Sequence, residues 1–148
     1  MKKLSASILM STLLLASGAI AQTAGPVGLW KTIDDASGKP KSLVRISVAN
    51  GELSGKIEKL FRGAGEEQNP VCDKCEGARK DQPIIGMIIL QGLKPDGADY
   101  GGGTVLDPVN GKVYKSKISL TDDGRKLNLR GYIGIPLLGR TQTWLREE

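Results

Sequence analysis

Apolar and polar residues alternate in short runs along much of the chain, and a period of two residues is typical of β-strands. The clearest alternation covers residues 44–48 and 53–57, where Val, Ile and Leu occupy every second position except Gly55. Asn50 and Gly51 separate the two runs, and both residue types tolerate the positive φ angles of a two-residue hairpin turn. The pattern therefore predicts a β-hairpin here.

Six further runs repeat this pattern and bring the expected number of strands to about eight. Residues 84–90 are apolar on both faces, which indicates a fully buried strand, with a short helix as the alternative. The glycines at 101–103 indicate a bulge or sharp bend, because no phosphate-binding sequence follows them. The remaining expected strands are residues 29–33, 103–106, 114–120, 127–133 and 140–146.

Regularly spaced strands and turns predict an all-β domain, and a single antiparallel up-and-down barrel leaves no exposed sheet edge. Trp30 lies in the first expected strand, and Trp144 and Arg146 lie in the last. These two strands are neighbours in a closed barrel. We expect a tryptophan to plug the base of the barrel, with the arginine across its ring in a cation–π contact.

Residues 1–21 have the three parts of a secretory signal peptide. Lys2 and Lys3 are cationic, residues 8–16 are largely apolar, and small residues occupy positions 19 and 21. The apolar stretch is shorter than the roughly 20 residues that span a membrane. We expect cleavage after Ala21, export to the periplasm, and a soluble domain of residues 22–148 without a membrane span.

The composition argues against several functions. The sequence has 21 Lys and Arg residues scattered among 16 Asp and Glu residues, so nucleic acid is not expected as a partner. It has no histidine, which excludes a Ser-His-Asp triad, a Cys-His pair and an imidazole base. The paired carboxylates all fall at expected turns. We therefore expect no enzymatic activity, cofactor or metal.

Cys72 and Cys75 lie in a long polar stretch, residues 61–83. A disulfide between them suits an oxidising compartment and would fix a loop of this length. Redox chemistry would need a thiolate at a helix N-terminus in a thioredoxin-like fold, a pattern that is absent from the sequence. A structural zinc site would need four Cys or His ligands. The disulfide is the favoured interpretation, and a thiol–disulfide redox function is the least favoured.

Several motifs follow one another along nearly all of the chain after residue 22. They are Gly28-Leu29-Trp30, the Cys-x-x-Cys, Gly86-Met87, and residues 102–108, 111–114, 130–134 and 139–144. This order resembles an uncharacterised family of exported bacterial proteins, domain of unknown function 2147. Tyr100 stands where a tryptophan is expected in many members. The resemblance implies a lipocalin-like or fatty-acid-binding-protein-like barrel, and it implies no substrate or catalytic residue.

A barrel of eight strands is either filled by side chains or holds one small molecule. We expect a small, mostly apolar ligand in an apolar interior. The interior would consist of Val44, Ile46, Leu53, Ile57, Met87, Ile89, Ile118, Leu127, Leu129 and Ile133. The polar and aromatic groups expected near the ligand are Trp30, Tyr114, Tyr132, Arg140, Gln142 and Trp144.

The alternative is a non-catalytic interaction or structural module of the envelope, with a filled barrel and an envelope protein as partner. Its working surface would be the loops at residues 61–83 and 134–139, since rigid scaffolds often carry function on loops. Exposure of Ile135, Leu137 and Leu138 would favour this alternative. If these side chains fold over the barrel mouth, they favour the ligand carrier.

Overall fold

Eight antiparallel strands close into a barrel in the computed structural model, which describes residues 24–148. Each strand pairs with the next in the chain, and β1 pairs with β8, so the up-and-down barrel prediction is confirmed. The expected signal peptide, residues 1–21, lies outside the described residues. The strands are β1 (Gly28–Ile33), β2 (Pro40–Ala49), β3 (Glu52–Leu60), β4 (Ile88–Asp96), β5 (Asp99–Asp107), β6 (Lys112–Thr121), β7 (Lys126–Tyr132) and β8 (Arg140–Arg146).

The barrel has two different ends, which we call the base and the mouth. The base carries residues 24–27, the C-terminus and the three tight turns that follow β2, β4 and β6. The mouth carries the loops at residues 34–39, 61–87, 108–111 and 133–139. The helical elements of residues 24–148 are single 3-10 turns, and none of them is long and apolar enough to cross a membrane.

The predicted hairpin forms β2 and β3. Asn50 has a φ of 54° and Gly51 a φ of 75°, as the short turn requires. Along β3, Leu53, Gly55 and Ile57 are buried and their neighbours are more exposed. The alternation in the sequence therefore identified the inward face of this hairpin correctly.

The base is closed by Trp30, which is fully buried, and by Arg146, whose guanidinium carbon lies 4.3 Å from the centre of the indole ring. The Trp30 Nε1–H donates to the Pro26 carbonyl oxygen at 2.8 Å. Arg146 donates to the carbonyl oxygens of Gly124 at 2.7 Å and Val27 at 3.0 Å. The expected cation–π closure is present, and it ties the N-terminal segment to the turn before β7.

Several strand predictions had inexact bounds, and β4 and β5 each begin four residues from the expected position. Residues 84–90 were expected to form one strand, but β4 begins at Ile88, and the chain turns through Gly86, which has a φ of 91°. Ile84 and Met87 are buried although they lie in this turn, because they pack onto the core cluster. β5 is longer than residues 103–106, since it begins at Asp99 in a hairpin with β4.

One residue of the expected interior is outside the barrel. Ile133 is 70% exposed because β7 ends at Tyr132, where the chain leaves the sheet. The other nine apolar residues of that set are buried.

The bulge expected near residues 101–103 is confirmed by a shift of register between Tyr100 and Gly103 in the pairing of β5 with β6.

A ligand cavity in the mouth half of the barrel

The barrel interior is filled by side chains towards the base and is hollow towards the mouth. Trp30, Ile46, Leu93, Ile118 and Leu127 are almost completely buried in the base half. Above them lies a cavity of about 270 Å³, to which all eight strands contribute lining residues. Its apolar wall consists of Ile57, Leu60, Ile89, Val105, Leu106 and Leu129, with the Trp144 ring among them.

Part of this space exists because Gly131 has no side chain. A Cβ atom at Gly131 would lie 3.5 Å from Val105 Cγ1 and 3.6 Å from Tyr114 Cβ, which is ordinary van der Waals contact. Gly55 on β3 is different, since a Cβ atom there would lie 2.9 Å from Leu90 Cδ1. Gly55 is therefore part of a packed wall, whereas Gly131 borders empty space.

The cavity also presents hydrogen-bonding groups. The Tyr114 hydroxyl accepts a hydrogen bond from Asn110 Nδ2 at 3.0 Å. The hydroxyl oxygens of Thr32 and Ser42 lie 2.7 Å apart, so one of them donates to the other. These groups stand on several strands and converge on one space, which is typical of a site that orients a ligand.

Charged side chains lie at the rim of the mouth. The Arg140 guanidinium pairs with the Asp35 carboxylate at 2.9 Å, and Gln142 Nε2 donates to the same carboxylate at 3.3 Å. Asp35 belongs to the loop after β1, which is thereby tied to β8. In this loop Ser37 donates two hydrogen bonds to the Asp34 carboxylate, and these bonds lower the pKa of Asp34.

A disulfide joins Cys72 and Cys75 in the long mouth loop, as expected, and both residues are buried. Cys72 Sγ lies 3.4 Å from the Pro108 carbonyl oxygen, a contact without a hydrogen bond because the sulfur carries no proton. A Cβ atom at Gly111 would lie 1.9 Å from the Lys74 carbonyl oxygen, so only glycine permits this approach. The disulfide loop is therefore seated on the turn between β5 and β6, whose residues line the cavity.

Four of the six residues expected near a ligand line the cavity: Tyr114, Arg140, Gln142 and Trp144. The other two do not line it. Trp30 faces inward but fills the base, and Tyr132 lies at the end of β7. The mouth loop with Ile135, Leu137 and Leu138 does not fold over the cavity, since all three side chains are exposed and none lines it.

The sequence interpretation missed several polar lining residues, among them Thr32, Lys41 and Ser42. Ser42 was detectable, because it stands in phase with Val44 and Ile46 on the inward face of β2. Lys41, Asp107 at the end of β5, and the turn residues Pro108 and Asn110 gave no such signal, because their place at the mouth depends on how the sheet closes.

Comparison with known proteins agrees with this architecture. Among solved structures, the chain is similar to protein HP1028 from the human pathogen Helicobacter pylori, which is described as belonging to the lipocalin family. The TM-score is 0.70, with 20% sequence identity and 82% of each chain covered, so the likeness shows a shared fold. No curated protein matches the sequence. The model of a family described as uncharacterized protein conserved in bacteria (DUF2147) matches residues 28–146, and this chain belongs to that family.

Proposed function

We propose that this protein is an exported, periplasmic carrier that binds one small, mostly apolar molecule in the mouth half of its barrel. The observation that carries the proposal is the cavity of about 270 Å³, with an apolar wall and a few convergent polar groups. This is the usual composition of a small-molecule site. The lipocalin-like fold supports the proposal, since eight-stranded barrels of this type have room for one small ligand.

The volume of the cavity limits the size of the ligand. A benzene molecule occupies an apolar cavity of about 150 Å³, so a cavity of 270 Å³ has room for roughly ten to twelve non-hydrogen atoms. A single substituted ring or a short chain fits this volume. A long lipid chain would have to extend through the mouth into the solvent.

The proposal also includes the absence of catalysis, and the composition of the chain supports this part. The sequence contains no histidine, so the commonest general base of enzymes is absent. Its two cysteines form the buried disulfide and are not free thiols. Export rests on the signal-like pattern of residues 1–21.

Native mass spectrometry of protein purified gently from its own periplasm tests the carrier proposal. We expect a reproducible extra mass that is released on denaturation. Gly131→Leu, which places a larger side chain at the cavity wall, should purify without that mass. Lys115→Leu is the matched control, because Lys115 lies on the exposed face of the neighbouring strand β6, and it should keep the mass. A bare wild-type protein that also binds no small aromatic probe would contradict the proposal.

A second candidate, an interaction module of the envelope, is favoured by the loop between β7 and β8. Leu137 is 81% exposed and Leu138 is 76% exposed. The loop is held in this position by Arg130, which donates to the carbonyl oxygens of Pro136 at 2.5 Å and Leu137 at 3.2 Å. Exposed apolar side chains grouped on one loop are typical of a protein contact site.

A photo-crosslinking residue placed at position 137 in cells tests this second candidate. A single crosslinked envelope protein, absent when the crosslinker stands at the exposed Lys126 of the base, would support the interaction module. Equal background at both positions would leave the carrier as the better proposal.

A further inference from the structure

We infer that the mouth of the barrel docks on the surface of an anionic lipid membrane, through the loop between β7 and β8. The apolar side chains of the loop insert between the lipids, and the lysines and arginines beside it face the anionic headgroups. This inference goes beyond the proposed carrier function, and its test does not need the cavity ligand. It depends on the chemistry of the loop and on the charges around it.

The loop presents an almost unbroken run of apolar side chains to solvent. Residues 133–138 are Ile-Gly-Ile-Pro-Leu-Leu, and all six are exposed. The exposed fractions of the four Ile and Leu side chains range from 54% for Ile135 to 81% for Leu137, and none of the four packs onto the core cluster. Exposed apolar patches mark sites of protein or membrane contact, so we expect this loop to have a partner.

The tip of the loop is suited to leaving water, because its carbonyl oxygens already have donors within the protein. The Ile135 carbonyl oxygen accepts a hydrogen bond from the Leu138 N–H at 3.2 Å. Arg130 donates to the carbonyl oxygens of Pro136 at 2.5 Å and Leu137 at 3.2 Å. Proline has no N–H group that would need an acceptor. Unsatisfied backbone groups are costly in a hydrocarbon layer, and the hydrogen bonds at this tip avoid that cost.

The segments around the loop carry positive charge. Residues 108–121 and 127–143 contain no Asp or Glu, and their cationic residues are Lys112, Lys115, Lys117, Arg130 and Arg140. Lys117 and Arg140 form ion pairs with aspartates of neighbouring elements. Lys112 and Lys115 are exposed and belong to no ion pair within residues 24–148. These two lysines are therefore available to an anionic surface.

Apolar and positive side chains meet in one surface groove beside the loop. The groove is lined by Val113 and Ile133, which are both exposed, and by Lys112. Arg79 and Glu76 line it as well, and their opposite charges offset each other. A lysine beside exposed aliphatic side chains suits a membrane surface, where the amino group reaches the headgroups and the apolar groups lie deeper.

The composition of the loop favours a lipid surface over a protein as its partner. Protein interfaces have about one hydrogen bond per 100–200 Å², and the residues that contribute most to them are enriched in Trp, Tyr and Arg, with Leu under-represented. The side chains of residues 133–138 offer no hydrogen bond. Tyr132, which precedes the loop, follows the cavity-lining Gly131 and so lies on the outer face, paired with Lys115. A tyrosine between apolar and charged side chains is typical of the headgroup level of a membrane.

Flotation with lipid vesicles tests the inference directly. At low ionic strength we expect the wild-type protein to bind vesicles of equal parts phosphatidylglycerol and phosphatidylcholine about tenfold more tightly than vesicles of phosphatidylcholine alone. Leu137→Gln combined with Leu138→Gln should weaken binding to the mixed vesicles about tenfold or more, because two inserted side chains are lost. Val27→Gln combined with Val48→Gln is the matched control, since both valines are exposed at the base, and it should bind like the wild type.

Charge reversal tests the electrostatic part of the inference. Lys112→Glu combined with Lys115→Glu should also weaken binding to the mixed vesicles about tenfold or more, and should change binding to phosphatidylcholine vesicles little. Lys56→Glu combined with Lys126→Glu is the matched control, because both lysines are exposed and lie away from the loop, on β3 and at the base end of β7. It changes the net charge by the same amount and should weaken binding about twofold or less.

A tryptophan in place of Leu137 reports insertion without removing the apolar surface. The fluorescence of Leu137→Trp should be quenched by vesicles with brominated lipid chains, whereas that of Val48→Trp should not, since the native tryptophans are buried. Absence of vesicle binding, or binding that the double Leu137 and Leu138 variant does not weaken, would overturn the inference. A single envelope protein crosslinked from position 137, without vesicle binding, would overturn it in favour of the interaction module. These results leave the carrier proposal in place, since the native mass of the protein decides that proposal separately.

Discussion

Gly103, Ser116 and Gly131 lie side by side across β5, β6 and β7, and the two glycines should respond in opposite ways to alanine. A Cβ atom at Gly103 would lie 2.4 Å from the Gln91 carbonyl oxygen and 2.7 Å from the Leu93 backbone nitrogen. A Cβ atom at Gly131 has no neighbour closer than 3.5 Å. An alanine methyl group at position 103 would therefore clash with the backbone of β4, whereas at position 131 it would extend into the cavity without a clash.

The expected magnitudes follow from these contacts. Alanine at Gly131 restricts the unfolded chain, which stabilises the protein by about 0.4–1 kcal/mol. Burial of the added methyl group contributes at most about 0.8 kcal/mol more. We therefore expect the free energy of unfolding to rise by about 1 kcal/mol. Alanine at Gly103 forces β4 away from β5. Overpacking typically costs about 1–3 kcal/mol, and the atoms that must move here are backbone, so we expect a net loss of at least about 2 kcal/mol.

Urea unfolding followed by tryptophan fluorescence and far-UV circular dichroism measures both effects. The two variants should differ by about 3 kcal/mol in the free energy of unfolding, with opposite signs relative to the wild type. Gly65→Ala is a control for the unfolded-state effect alone, because nothing lies within 4 Å of its Cβ position. Gly103→Ala with wild-type stability would refute the close approach of β4 and β5.

Three further predictions concern the ends of the barrel. Arg146→Met should destabilise the protein by about 3 kcal/mol, because it removes the contact with the Trp30 ring and the hydrogen bonds that close the base. Replacing both Cys72 and Cys75 by serine should cost about 2 kcal/mol and increase amide exchange in the long mouth loop. Ser37→Ala should raise the lowered pKa of Asp34, measured by NMR titration, towards its ordinary value.

Each of these predictions has its own check. Arg45→Met removes an arginine with two exposed ion pairs, to Glu58 and Glu148, and should shift the urea midpoint much less than Arg146→Met. Unchanged amide exchange in the double serine variant would show that the disulfide does not hold the loop. The stabilisation from Asp34 is present above the ordinary carboxyl pKa and disappears as the pH falls through its lowered value. If the pKa of Asp34 is unchanged in Ser37→Ala, the explanation that the Ser37 hydrogen bonds lower it is contradicted.

Strands and turns were largely readable from the sequence because a period of two residues is a local property. β8 begins and ends where its alternation predicted, and the Asn50-Gly51 turn joins the predicted hairpin. Residues 84–90 were misread for a physical reason. Ile84 and Met87 are apolar because they pack onto the core from a turn, and composition alone does not distinguish a turn of this kind from a buried strand.

The site depended on the tertiary structure. Trp30 and Trp144 give the same signal in the sequence, a tryptophan on an inward face, yet one plugs the base and the other borders the cavity. Gly103 and Gly131 are likewise both strand glycines, and only their neighbours decide which one leaves space. The sequence by itself determined the class of fold, the closing strands and the disulfide. How close an inward residue lies to the base or to the mouth depends on the register between strands far apart in the chain. The position and lining of the cavity were therefore decided by the tertiary structure.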